Sequence, residues 1–269
     1  MALRVYSQTE VNPSPQVCGN NMDNTNHYKK VMPALMAVSK RAGQAIYDFE
    51  MIKEGDKIAV AVSGGKDSLS LLHVLRHRQR IMPIKFDFVA VHIDFNFQDF
   101  DPAELIEYFK KHEFPYLVER VDALEGERYE DIDCFRWSRQ RRKALFQLAD
   151  REGFMKIAFG HHLDDIVETI VLNQFYRGEI GAMKPKQELF EGKITIIRPL
   201  AYVREEAMAY LARKLDIASM GQSKCANDDT SHRMKIKKML REIEKDNPAV
   251  VKNIYKSLRN IRKEYLIEA

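Results

Sequence analysis

One stretch limits what this chain can become: Ile58-Ala59-Val60-Ala61-Val62-Ser63-Gly64-Gly65-Lys66-Asp67-Ser68. Five small or β-branched apolar residues form a buried strand, and the residues after it, Leu69, Leu71, Leu72, Val74 and Leu75, repeat at helical spacing. Gly64 and Gly65 remove the Cβ atoms that would keep a backbone turn from closing around a ligand. Backbone N–H groups at the start of a helix attract an anion. Ser63 and Ser68 add hydrogen bonds, and Lys66 adds a point charge suited to phosphate oxygens. An ordinary strand-to-helix turn, capped by Ser63 or Asp67, needs neither the glycine pair nor the lysine. The stretch reads as a nucleotide-phosphate site. It is not the Walker version, which needs a Gly where Val60 stands and a hydroxyl immediately after the lysine, where Asp67 stands.

The chain has 269 residues, 45% of them apolar, enough to bury a full core as one large domain or one with an appendage. Charged residues make up 30%, and no apolar run approaches the roughly 18 residues needed to cross a bilayer. Arg4 is not followed by the apolar segment of a secretion signal. Three cysteines far apart make no disulfide framework, which fits a reducing, cytoplasmic compartment. The net charge of +4 is a weak pointer to a polyanion. Its distribution says more.

Residues 1–27 are polar and aperiodic and read as a flexible extension carrying Cys18. From Tyr28 to Met51 an amphipathic helix carries Lys29, Lys30, Lys40 and Arg41 on its polar face. After the opening strand and its helix, strands are expected over Phe86–Asp94, Tyr116–Val121, Lys156–Gly160 and Ile194–Pro199, with helices between them. This alternation predicts an α/β fold: a five-stranded parallel, Rossmann-like sheet with helices on both faces, over residues 28–204. Ligands of such sheets sit beyond the carboxyl ends of the strands, which gathers the Ser63 loop, His92–Asp94, His161–Asp165 and Arg198 around one crevice. His92 and Asp94 are candidates to contact a nucleoside there. Residues 205–269 show only helical periods. Between Ser231 and Lys263 they hold eleven Lys or Arg against three acids, which points to a phosphate-backbone surface including Lys235 and Lys238.

Two further constellations border the crevice. Gly160-His161-His162-Leu163-Asp164-Asp165 ends a strand and starts a helix. Adjacent histidines point apart on a strand, which argues against a dedicated zinc site. One Asp, here Asp165, holding a mostly hydrated Mg²⁺ shared with phosphates is the more natural reading. The second constellation runs from Cys134 to Lys143. Trp137, Ala144, Leu145, Leu148 and Ala149 share one helix face with Cys134 and Arg141, while Arg136, Arg139 and Lys143 lie opposite and suit solvent or RNA phosphate. Arg141 on the inner face needs an anion, which places it and Cys134 beside the crevice. Cys134 alone would be a small buried hydrophobe, but neighbouring cations favour its thiolate.

The string Ser63-Gly64-Gly65-Lys66-Asp67-Ser68 resembles the PP-loop of the ATP pyrophosphatase superfamily. That resemblance implies an adenine nucleotide α hydrolase-like sheet and cleavage of ATP between its α and β phosphates, with AMP passing transiently to a substrate oxygen. Cys134, Ser138-Arg139-Gln140-Arg141-Arg142, Gly160 to Asp165, Asn173-Gln174-Phe175-Tyr176 and Ile197-Arg198-Pro199-Leu200-Ala201-Tyr202 narrow it to the tRNA 2-thiocytidine synthetase family. The likeness covers the chain from about Tyr28 onward. It implies ATP and Mg²⁺ as cofactors, and tRNA and a sulfur donor such as a cysteine desulfurase as partners. It implies no membrane and is compatible with a homodimer. ATP would be held by Ser63 to Ser68, Gly160, His161 and Asp165. Lys66 and Asp67 would act in adenylation, Cys134 and Cys225 in sulfur transfer, and Arg136, Arg139, Arg142, Lys143, Arg198, Lys235 and Lys238 would bind RNA. The chain departs from the family at one point. The family holds an iron–sulfur cluster on a Cys-x-x-Cys pair and one later cysteine, and here the second position of the pair is Trp137. Cys134 and Cys225 cannot supply three thiolates. Three accounts follow: a persulfide carried by these two residues, Cys18 as a third ligand, or sulfur transfer replaced by another acceptor. Alternative functions are a PP-loop tRNA ligase of the lysidine synthetase type and a non-catalytic nucleotide- or RNA-binding protein.

Overall fold

A computed structural model of the protein describes residues 10–11, 25–95, 102–121, 134–217 and 232–266. The opening strand β2 (Asp56–Ala61) lies at the centre of a seven-stranded sheet, followed by α2 (Lys66–Ile81). Beside β2 run β3 (Phe86–Asp94) and then β4 (Tyr116–Arg120), all parallel, with α3 (Ala103–Lys111) as a crossover. The chain then returns through α4 (Cys134–Arg151) to the other side of β2, where β5 (Lys156–Ala158) and β7 (Ile194–Ile197) complete five parallel strands. The expected parallel core is therefore present. Two antiparallel edges extend it: β1 (Glu10–Val11), from the segment read as a flexible extension, pairs with β4, and β6 (Lys186–Leu189) pairs with β7. Because β3 departs to one side of β2 and β5 lies on the other, the sheet has its switch point at the carboxyl ends of β2 and β5, where a crevice opens.

The period of two along each strand divides the core. Ile58, Val60, Phe86, Phe88 and Ala90 face α1 (Thr25–Asp48), α2 and α6 (Glu205–Lys214). Ala59, Val91, Ile93 and Ile157 face α4, which presents Ala144, Leu145, Leu148 and Ala149 in return. A third cluster joins α5 (Leu163–Arg177) to α7 (His232–Asp246) and α8 (Val250–Ser257) through Val167, Val171, Ile236, Leu240 and Val251. Among the described residues no helix is long and apolar enough to cross a membrane.

Candidate active site

The β2–α2 loop is held by its own serines. The Ser63 amide donates to Ser68 Oγ at 3.2 Å, the Gly65 amide donates to Ser63 Oγ at 3.3 Å, and Ser68 Oγ donates to the Gly65 carbonyl at 2.9 Å. Gly64 has φ +86°, a conformation that a side chain strains. Gly65 caps α2 with no side-chain cap bond, so neither Ser63 nor Asp67 fills the ordinary capping role. Lys66 Nζ lies 2.8 Å from Asp67 Oδ2, and the other carboxylate oxygen, Asp67 Oδ1, is buried without a hydrogen-bond partner.

The second wall approaches this loop closely. A Cβ placed on Gly160 would sit 3.1 Å from the Asp67 carbonyl carbon and 3.1 Å from the Ser68 nitrogen, so glycine lets the chain after β5 lie against the start of α2 without parting the two by a few tenths of an ångström. His162 and Asp165 then close a reciprocal cap on α5. The His162 amide donates to Asp165 Oδ2 at 2.9 Å, and the Asp165 amide donates to His162 Nδ1 at 3.4 Å. His161 turns the other way, stacked on Phe159 with ring centroids 5.5 Å apart. Burial pushes its pKa down to about 4 against the pull of Asp165, with Arg198, Arg233 and His162 pushing the same way as burial. It is therefore neutral near pH 7. Burial would raise Asp165, but His162, Arg233 and His161 outweigh it and hold the carboxyl below its ordinary value.

Between these walls lies a cavity of about 310 Å³, lined by Ser63, Asp67, Ser68, Gly160, His161 and Asp165, with Ser138, Arg141 and Arg142 reaching in from α4. Arg141 lines it as its place on the apolar face of α4 predicted. Arg142, expected on the RNA surface, lines it as well. A larger cavity, about 410 Å³, lies between α5, α6 and α7. Most of its charged lining is engaged in ion pairs, Arg204 with Asp164 and Glu244 and Lys237 with Glu205, which leaves the smaller cavity as the candidate site.

Three expectations meet a specific geometry. His92 and Asp94 are each 1% exposed and do not line the cavity, because the alternation of β3 turns Val91 and Ile93 toward it instead. His92 Nδ1 donates to the Val62 carbonyl at 2.8 Å and so supports the strand leading into the loop, while Asp94 pairs with Arg120 at 2.9 Å. Asp165, expected on Mg²⁺, already accepts at both oxygens, one from the His162 amide and one from Arg233 at 2.9 Å, so a cation there would share them with these partners. Arg198 is 6% exposed and cannot be a surface contact for RNA. It donates to the Lys184 carbonyl, its Nε is buried without a partner, and burial, aided by Arg142, lowers its pKa to about 10.

The basic C-terminal segment is partly consumed by internal pairing. Arg233 binds Asp165 and Glu168, while Lys237 and Arg241 bind Glu205. Lys235 and Lys238 remain exposed, as do Arg139 and Lys143 on α4. The Arg233 clamp was not anticipated, because a count of charges along a helix carries no sign of what lies across from it. Cys134 opens α4, but its side chain and those of Arg136 and Trp137 lie outside the described residues, as do Cys18 and Cys225. Among the described residues no group of three or more metal-binding side chains occurs.

The family described as the PP-loop domain matches residues 35–243. The tRNA-cytidine(32) 2-sulfurtransferase of Geobacter sulfurreducens is 38% identical over 247 residues, covering 90% of this chain and 93% of the relative. The protein of the same name from Herminiimonas arsenicoxydans is 40% identical over 238 residues, covering 86% of this chain and 74% of the relative. Among solved structures, the U34-tRNA thiolase NcsA from Methanococcus maripaludis with its [4Fe-4S] cluster aligns at a TM-score of 0.69 and 19% identity, over 93% of this chain and 89% of that one. At that identity the last likeness speaks to the fold alone.

Proposed function

The chain belongs to the PP-loop family and, within it, to the tRNA-cytidine(32) 2-sulfurtransferases, and from this premise we propose that it replaces a cytidine oxygen of tRNA with sulfur at the expense of ATP. The observation that carries the reading is the cavity at the switch point, where the serine-braced loop, the unpaired Asp67 oxygen and two arginines of α4 converge. In the first step the 2-oxygen of the bound cytidine attacks the α phosphate of ATP, an O–P bond forms, and pyrophosphate leaves. Amides of the loop, Lys66, Arg141 and Arg142 offset the charge that gathers on the phosphates. In the second step a sulfur nucleophile attacks C2 and AMP departs with the original oxygen.

Mg²⁺ would supply charge neutralisation at the phosphates, and Asp67 is the donor that fits it, because Oδ1 has no other partner whereas both Asp165 oxygens are used. The residues present do not fit a three-thiolate cluster on α4, since one turn after Cys134 stands Trp137, whose indole is no ligand. No step is routed through such a cluster. Sulfur instead arrives as a persulfide on Cys134 or Cys225, supplied by a desulfurase. The terminal sulfur attacks C2, the second cysteine thiolate cleaves the S–S bond to leave the thiocarbonyl on the base, and the resulting Cys134–Cys225 disulfide is reset by an external two-electron reductant.

The test is nucleoside analysis of tRNA incubated with the protein, ATP, reductant and a persulfide donor. Equal yields of 2-thiocytidine, AMP and pyrophosphate are expected, with Cys134→Ser binding ATP normally but forming no thionucleoside. Full thiolation by that variant, or AMP release that depends on free lysine, would overturn the reading.

A further inference from the structure

The motif Asn173-Gln174-Phe175-Tyr176 at the end of α5 takes no part in the chemistry above. The structure gives Asn173 a framework role: its carbonyl accepts from the amides of Gly178 and Glu179, and its Nδ2 donates to the Gly181 carbonyl at 3.0 Å. Gly178 at φ +66° closes the helix in the left-handed conformation that glycine favours. This braced turn leaves two consecutive aromatic rings in the open. Phe175 is 62% exposed and Tyr176 45% exposed, with Ile180 beside them on the turn at 70%.

Tyr176 is also stacked face to face on His232 of α7, with centroids 4.0 Å apart and planes 10° from parallel. Two helices thus present one flat, accessible π surface that is already ordered. The same two helices carry the exposed cations Arg177 on α5 and Lys235 and Lys238 on α7, none of which has an ion-pair partner among the described residues, with Glu179 on the turn. An exposed aromatic face on two helices that also carry exposed cations matches a nucleobase with its phosphates, since base–aromatic stacking and backbone neutralisation are the two terms that hold unpaired RNA. It suits an apolar protein partner less well, because a partner covering these helix ends would have to desolvate their cations. The surface is also tied to the site: His232 stacks on Tyr176 while its neighbour Arg233 binds Asp165, which lines the cavity. Along α5, Tyr176 lies about 16 Å from Asp165 at 1.5 Å per residue, a span of a few nucleotides.

We propose that Phe175 and the Tyr176–His232 stack form a platform for an unpaired base of the anticodon loop, a few nucleotides from the cytidine that enters the cavity; this rests on the tRNA reading above. Ordering this base fixes the loop's register over the site, and Arg177, Lys235 and Lys238 hold its phosphates.

The test is a fluorescence-anisotropy titration with anticodon stem-loop RNAs that carry one abasic position each through the loop. In the wild-type protein an abasic site at one position other than the target cytidine is expected to weaken binding about five- to a hundredfold. Tyr176→Ala and Phe175→Ala should weaken binding of the intact loop by a similar factor and no longer respond to that position. Tyr176→Phe should retain affinity and Tyr176→Leu should not, while ATP affinity stays at the wild-type value in all of them. The platform is overturned if no abasic position other than the target matters to the wild type, if the alanine variants bind the intact loop as the wild type does, or if leucine restores binding. A wild-type protein that neither binds tRNA nor forms 2-thiocytidine would remove the functional reading and the platform with it, a result separable from failure of the variants alone.

Discussion

At the scale of single residues, Gly160 shows how a local pattern and a long-range contact combine. Its place at the end of a strand was legible in the sequence, but its reason was not, because the atoms it must clear, the Asp67 carbonyl carbon and the Ser68 amide, lie far away along the chain. Those neighbours are backbone and cannot swing aside. Gly160→Ala is therefore expected to part the chain after β5 from the start of α2 by a few tenths of an ångström, costing about 1–3 kcal/mol of stability and disturbing the Ser63–Ser68 turn. A drop of at least about tenfold in ATP affinity by calorimetry is expected (about 1.4 kcal/mol), in a protein that still unfolds cooperatively. Wild-type affinity would show that the two walls move independently. The loop itself was legible because its function depends on consecutive residues, Ser63 to Ser68. His92 and Asp94 share the end of β3 with Val91 and Ile93, but the strand's period of two turns the two pairs to opposite faces.

At the scale of elements, apolar runs revealed all five parallel strands, since strands covered on both faces are continuously apolar. The two edge strands escaped for the opposite reason. Lys186-Gln187-Glu188-Leu189 is polar and half-exposed, and Glu10–Val11 is too short to show a period. The docking of α7 was equally illegible: eleven cations looked like a nucleic-acid surface, yet Arg233 is committed to Asp165 and Glu168. Glu168 is 4% exposed, and burial raises its pKa against the pull of Arg233. Arg233→Ala would leave that carboxylate buried and unpaired, at a cost of about 1–3 kcal/mol. Adding Glu168→Gln should recover part of the loss, because a neutral amide needs no counter-charge. The double-mutant cycle, measured by urea denaturation, is expected to show coupling above about 0.5 kcal/mol. Additive losses would mean that the Arg233–Glu168 pair adds nothing to the docking of α7 on α5.

At the scale of the whole molecule, three histidines buried in different places act together on stability. His73 donates or accepts at Tyr108 across 2.7 Å and is held down to about 3 by burial, with His112 and Arg76 adding to it. His92 is held to about 4 by burial, and His161 likewise to about 4. Released into water, each takes up a proton near its ordinary value of 6.5. The unfolded chain therefore binds more protons than the folded one between about pH 6.5 and 4, and stability must rise with pH across that window. Their contribution is fully present above pH 6.5 and is lost as the solution is acidified toward 4, each histidine adding at most about 1.4 kcal/mol per pH unit. Asp165 and Glu205, both held below their ordinary values, extend the loss in the same direction at lower pH, as the partners of Arg233 and Lys237 become protonated. Urea midpoints should thus be level from pH 8 to 7 and fall steeply from pH 6 to 5, and His73→Gln should flatten the fall by about a third. Midpoints that hold steady down to pH 5 would mean that these imidazoles titrate in the folded protein as freely as in the unfolded chain. That would place water around the His161 ring stacked on Phe159 and around the hydrogen bond from His92 to the Val62 carbonyl.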